Sequence, residues 1–111
     1  MDWLYSLDKI KVLGKTIRIK YEESHDFFPD TDPALKDGLY DTTEQRIHLV
    51  RHLGPEKMLE TLIHETIHVI EGEMYFSLSE ENVCRIAAGL QAVIVDNFKL
   101  RRKNERNKIP D

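Results

Sequence analysis

This 111-residue chain is poor in the residue types that brace or break a fold, with one cysteine, four prolines, five glycines and 8% aromatics. The single Cys84 excludes an intrachain disulfide framework and fits a reducing compartment. So few prolines and glycines, with no compositional repeat, exclude collagen-like and low-complexity classes. The apolar runs fall short of the roughly 20 residues a membrane helix needs, so no membrane partner is expected. The first eight residues, Met1 to Asp8, are acidic and lack the basic, apolar and small-residue segments of a secretory signal. A cytoplasmic location is therefore the expectation.

What remains is 41% hydrophobic and 32% charged, enough for one small domain with a thin core. Any active site in it must be shallow and built from few elements. The net charge of −4 is uneven: the segment from Lys99 to Asp111 carries six bases against two acids, which leaves −8 on the first 98 residues. We read residues 1–98 as the domain and 99–111 as a basic C-terminal tail. Such a tail can touch nucleic acid, but it is short and has no interleaved aromatics, so a solvated terminus is the simpler reading and a nucleic-acid partner is not expected.

Between Leu7 and Tyr21, Ile10, Val12, Ile17 and Ile19 alternate with Lys9, Lys11, Arg18 and Lys20. That period of two predicts a half-buried antiparallel hairpin turning near Leu13-Gly14-Lys15. Turn formers fill Glu22 to Gly38, which reads as a loop long enough to border a binding site. Leu39 to Asp41 and Arg46 to Val50 predict a second hairpin, giving three or four strands. Pro55 suits a first helical position and Glu56 suits the positive end of the helix dipole, so a helix is expected from there to about Glu71, closed by Gly72. Leu59, Leu62, Ile63, Thr66, Val69 and Ile70 form its core-facing stripe. A second helix is expected from a Ser79 cap to about Phe98, with Val83, Ile86, Ala87, Leu90, Val93 and Ile94 inward. Strands first and helices after give an α+β class, with a small antiparallel or mixed sheet packed on both helices.

His64-Glu65-Thr66-Ile67-His68 is an H-E-x-x-H sequence inside the first helix. Residues at i and i+4 share a helical face, so both imidazoles can reach one metal ion, with zinc the expected cofactor. Glu65 can then act as general base, taking a proton from the water that attacks a carbonyl. The plain alternative is two surface histidines on a solvated face, but a helix otherwise rich in Leu, Ile and Val gives little reason for them. A catalytic zinc takes three protein ligands, so a third must come from elsewhere. Candidates are Glu80 or Glu81, Glu71 or Glu73, and His25 or His48. Helix geometry favours Glu80, which precedes Val83 by three and Ala87 by seven, while Glu81 is rotated away by about 100°. Both glutamates also suit the helix dipole without any metal. An oxyanion donor could be Tyr40, Tyr75, His48 or Arg85, and no spacing singles one out.

Leu62 to Glu71, Leu78 to Val83, Ile86 to Leu90 and Asp96-Asn97 together resemble the small HExxH proteins common in phages and prophages. Those are similar to the minimal zincin-like metallopeptidases of the ImmA/IrrE and SprT-like groups. The resemblance covers about residues 38 to 98. It implies a minimal zincin-like, gluzincin-like fold, with His64 and His68 as zinc ligands, Glu65 as base and a glutamate of the next helix, Glu80 or else Glu81, completing the site. It also implies an edge strand above the HExxH helix, expected at Arg46 to Val50, that pairs with an extended protein or peptide substrate. SprT-like members use a histidine as third ligand, and none follows His68 here. A zinc-dependent endopeptidase in the cytoplasm of a bacterial host is thus the leading expectation. The competing one is a catalytically silent zincin-like protein that binds a phage or host partner.

Overall fold

The computed structural model describes residues 2–24 and 37–98 of the chain. Four strands, β1 Lys9–Val12, β2 Lys15–Glu22, β3 Gly38–Asp41 and β4 Arg46–Val50, precede two helices, α1 Pro55–Met74 and α2 Glu80–Asn97. The class is α+β, as the sequence predicts. The sheet is mixed, in the order β1-β2-β4-β3, with β2 and β4 parallel and the two outer pairs antiparallel. The predicted loop and its His25 lie largely outside the described residues, as does the basic tail.

Both hairpins form where the alternation predicts them. In the first, Leu13 and Gly14 take the positive φ values of 52° and 83° that a tight two-residue turn demands, and Leu13 stays exposed. In the second, the Asp41 carboxylate accepts the amides of Thr43 and Glu44 at 2.9 and 3.2 Å and folds the turn. The expected edge strand needs correction. Arg46–Val50 lies inside the sheet between β2 and β3, and Ile47, His48, Leu49 and Val50 are all buried. A strand apolar on both faces belongs in the interior. The edge on that side is the shorter β3.

The core is formed by Val12, Ile17, Ile19, Ile47 and Leu49 from the sheet and by Met58, Leu59, Leu62 and Val69 from α1. Leu4 joins it, fully buried in a short 3-10 turn at Asp2–Tyr5. That turn is pinned by the Tyr21 hydroxyl, which donates to Leu4 O at 2.6 Å and accepts the Leu7 amide at 2.9 Å. Of the predicted α1 stripe, Leu59, Leu62 and Val69 are buried, while Ile63 and Ile70 pack on the core from its margin.

Pro55 starts α1 as expected, but Gly72 does not end it. The helix runs to Met74 and closes on Tyr75, whose φ of 58° is left-handed and whose amide reaches Glu71 O. Two further amides, Phe76 N to Glu71 O and Leu78 N to the Glu71 carboxylate, complete that closure. Ser79 caps α2, accepting the Asn82 amide at 3.1 Å. The predicted inward stripe of α2 is only half realised. Val83 and Ala87 are buried against Ile67 and Ile63, whereas Ile86, Leu90 and Val93 remain exposed. Ile94, near the end of the helix, packs on the core from its margin, so α2 turns the Val83, Ala87 and Ile94 face inward and leaves Ile86, Leu90 and Val93 on its flank. No described helix is long and apolar enough to cross a membrane.

Candidate metal centre

The site forms where α1, the start of α2 and the edge strand β3 meet. Helical spacing places His64 and His68 one turn apart, with ring centroids 5.0 Å from each other. Glu80, the first residue of α2, brings its carboxylate to both: Oε1 contacts His64 Nε2, and Oε2 lies 3.5 Å from His68 Nε2. Glu65 is buried at 7% exposure, with Oε2 4.0 Å from His64 Nε2. The Tyr40 amide of β3 donates to its carboxylate. Thus His64, Glu65, His68 and Glu80, the residues favoured from sequence, come together.

Burial dominates the electrostatics. It pushes the Glu65 carboxyl up to about 7, helped by the nearby Glu80 and opposed by His68 and the Tyr40 amide. It also lowers His64, with Glu80 pulling the other way. At His68 burial lowers the pKa as well, but Glu71, Glu65 and Glu80 outweigh it and raise the net value. A carboxylate held near neutrality beside two imidazoles and a second carboxylate is poised for proton transfer.

Each imidazole meets a different group on its Nδ1 side. His68 Nδ1 lies 2.6 Å from Glu71 Oε1, and His64 Nδ1 lies 3.8 Å from Cys84 Sγ. Sequence reasoning considered Glu71 only as a ligand and did not consider Cys84. Spacing could have flagged both, since Glu71 is three residues after His68 and Cys84 four after Glu80, each on a shared helical face. Among the described residues, the donor atoms of His64, Glu80 and Cys84 lie within 4.8 Å of one another, a group able to hold a cation. Burial and the neighbouring Glu80 and Glu60 raise the Cys84 thiol.

The remaining candidates lie elsewhere. Glu81 pairs with Arg85 at 2.6 Å on the exposed side of α2. Glu73 pairs with Lys15 at 2.8 Å. His48 is buried and bonded to Glu22 at 2.8 Å. Tyr75 is 94% exposed. Of the four oxyanion candidates, only Tyr40 lines the cleft.

That cleft encloses about 470 Å³ between β3 and the HExxH face. Its walls approach most closely at Gly38, where an added Cβ would stand 2.7 Å from Thr61 Cγ2, 3.2 Å from His48 O and 3.3 Å from Glu65 Cγ. Asp37 O takes the Val50 amide at 2.9 Å, so along β3 residues 37, 39 and 41 bond inward to β4. The main-chain groups of Gly38 and Tyr40 therefore point away from the sheet, towards the cleft. The donor set suits zinc: two imidazole nitrogens and a carboxylate are a known three-ligand combination for it. No protein-family model matches this chain, and no curated protein or solved structure matches it either.

Proposed function

We propose that this protein is a small zinc-dependent endopeptidase of zincin-like fold, with His64, His68 and Glu80 as metal ligands and Glu65 as general base. One observation carries the reading: both Nε2 atoms face the Glu80 carboxylate beside a buried Glu65, in a cleft floored by the HExxH helix. Zinc in such a set supplies Lewis-acid activation of water and carbonyl near neutral pH. The chain supplies the rest. Glu65 takes the proton from the attacking water and passes it to the leaving amine, a role its burial favours. The outward main-chain groups of Gly38 and the carbonyl of Tyr40 offer an extended substrate a strand edge to pair with, which aligns its backbone along the cleft. Of the oxyanion candidates, Tyr40 is the one that lines the cleft.

A second reading, binding without cleavage, is favoured by the cleft's shortage of free cationic donors. Lys57, the lining ammonium, is shared between Asp37 and Glu60 at 3.6 Å each. The two readings separate in one experiment. Elemental analysis should find about one zinc per chain, and Glu65→Gln should keep that zinc while abolishing cleavage of unstructured protein or a peptide library. Absence of zinc, with stability unmoved by zinc or chelator, would overturn the metal reading. Bound zinc with no cleavage by the wild type would favour the binding protein.

A further inference from the structure

We propose that Glu71 is the positioning residue that assembles the ligand set, orienting His68 with one carboxylate oxygen and anchoring the connector that delivers Glu80 with the other. The inference rests on the metal reading above and deepens it. An imidazole can offer its Nε2 lone pair only if its single proton sits on Nδ1. Glu71 Oε1, 2.6 Å from His68 Nδ1, accepts that proton's hydrogen bond and turns Nε2 towards Glu80 and the cleft. A free imidazole has no such constraint on its tautomer or ring angle.

The second oxygen does different work. Glu71 Oε2 accepts the Leu78 amide at 2.6 Å, while its main-chain oxygen takes the amides of Tyr75 and Phe76. Three amides of the five-residue connector between the helices therefore end on this one residue. Leu78 is followed at once by the Ser79 cap and by Glu80, so the point where Leu78 is tied sets where the third ligand stands. Glu71 is 9% exposed and three residues from His68, so it is held by its own helix. A helix-closing residue would need only the amides. The bond to His68 Nδ1 is surplus to that task and points to the metal site. His64 has no equal support, since its Nδ1 neighbour is the more distant Cys84 sulfur.

The test uses the full chain, its variants Glu71→Gln and Glu73→Gln, and two readouts. Gln is isosteric but has one acceptor oxygen, so it cannot take both the Leu78 amide and the His68 proton. Competition with a chromophoric chelator should show zinc bound roughly 10–100-fold more weakly by Glu71→Gln. Glu73→Gln, which loses only the contact to Lys15, should match the wild type. Independently of any metal, two-bond nitrogen–proton NMR on metal-free wild type at alkaline pH should find His68 as the Nδ1–H tautomer, with Glu71→Gln shifted towards Nε2–H. Equal zinc affinity in wild type and Glu71→Gln would overturn the inference, as would an Nε2–H tautomer in the wild type. A wild type without zinc affinity but with His68 locked as Nδ1–H would sink the metal reading and leave the orientation of His68 by Glu71 standing. If Glu71→Gln does not fold, the wild-type tautomer still decides.

Discussion

Replacing Gly38 by alanine tests whether the edge strand sits against the HExxH helix as closely as described. The new Cβ would lie 2.7 Å from Thr61 Cγ2 and 3.2 Å from the main-chain oxygen of His48. Neither neighbour yields freely, because a threonine in a helix has only two comfortable rotamers and the carbonyl belongs to an inner strand. Overpacking of this kind costs about 1–3 kcal/mol, and two stiff neighbours put it in the upper half of that range. Against it stands about 0.4–1 kcal/mol from the reduced freedom of alanine in the unfolded chain. The net loss is about 1–2.5 kcal/mol. With an unfolding entropy of roughly 2.1 cal/mol/K per residue, a chain of this length should lose about 5–10 °C in Tm.

The assay is thermal unfolding of metal-free protein in a double-mutant cycle with Thr61→Ser, which removes the offending Cγ2. Gly38→Ala should be destabilised, and the pair should recover about 1 kcal/mol of the loss, since the contacts to His48 O and Glu65 Cγ persist. A Gly38→Ala protein as stable as the wild type would refute the packing argument. So would strict additivity within about 0.5 kcal/mol, which would mean that Thr61 is not what the new methyl meets.

Other consequences can be checked in the same preparations. Glu80→Gln should weaken zinc binding by at least about tenfold while Glu81→Gln leaves it unchanged, by the same chelator competition; equal effects would mean that the start of α2 is misplaced. Ser79→Ala should cost about 1 kcal/mol in denaturant unfolding through loss of the cap on the Asn82 amide. Saturating zinc at a hundred times its Kd should stabilise the wild type by about 2.7 kcal/mol, raising Tm by about 10 °C, and His68→Ala should abolish most of that gain. In metal-free protein the folded-state pKa of Glu65, near 7, exceeds its ordinary 4.5, so its burial costs nothing below pH 4.5 and its full penalty above pH 7. Glu65→Gln should therefore gain on the wild type as pH rises through that window, by about 3 kcal/mol, as read from unfolding curves at pH 4 and pH 8.

The parts of this fold that were legible in the sequence are those set by local patterning. Alternation at Ile10 to Ile19 marked a hairpin, Pro55 a helix start and Ser79 a cap, because each depends on residues within a turn or two. Strand order was not legible. Arg46 to Val50 shows the same apolar run whether it lies at an edge or inside, and only the parallel pairing with β2 decides. The close of α1 was misjudged at Gly72 because the competing signal is not set by residue type: Glu71 takes the Tyr75 and Phe76 amides on its main-chain oxygen and the Leu78 amide on its carboxylate. The α2 stripe misled for another reason. Helical period places Ile86, Leu90 and Val93 beside the Val83, Ala87 and Ile94 face, but does not show how wide a face the neighbour covers. At the site, i and i+4 spacing sufficed for His64 and His68. That Glu80 rather than Glu81 lies beside the histidines needed only the rotation of about 100° between successive residues. Glu71 and Cys84 escaped because outer contacts to Nδ1 depend on ring orientation.

A thin domain pays for this site with core. Three of the buried side chains on α1, Thr61, Glu65 and Glu71, are polar, and they occupy a helix whose sheet-facing stripe is only Met58, Leu59, Leu62 and Val69. Of the residues α2 contributes, Val83 and Ala87 are buried and Ile94 packs on the core from its margin. Polar contacts add to these: the Glu71 anchor, the Ser79 cap and the approach of Glu80 to the two histidines. Without a cation that last contact sets one carboxylate against another, since Glu80 itself helps to raise Glu65. A divalent ion inverts the balance, because charges that repel across an empty site attract through a filled one. On the proposed reading the same three residues would tie α2 to α1 through the ion, adding to the packing of Val83, Ala87 and Ile94, and α2 would be the element whose place in the fold gains most from bound metal.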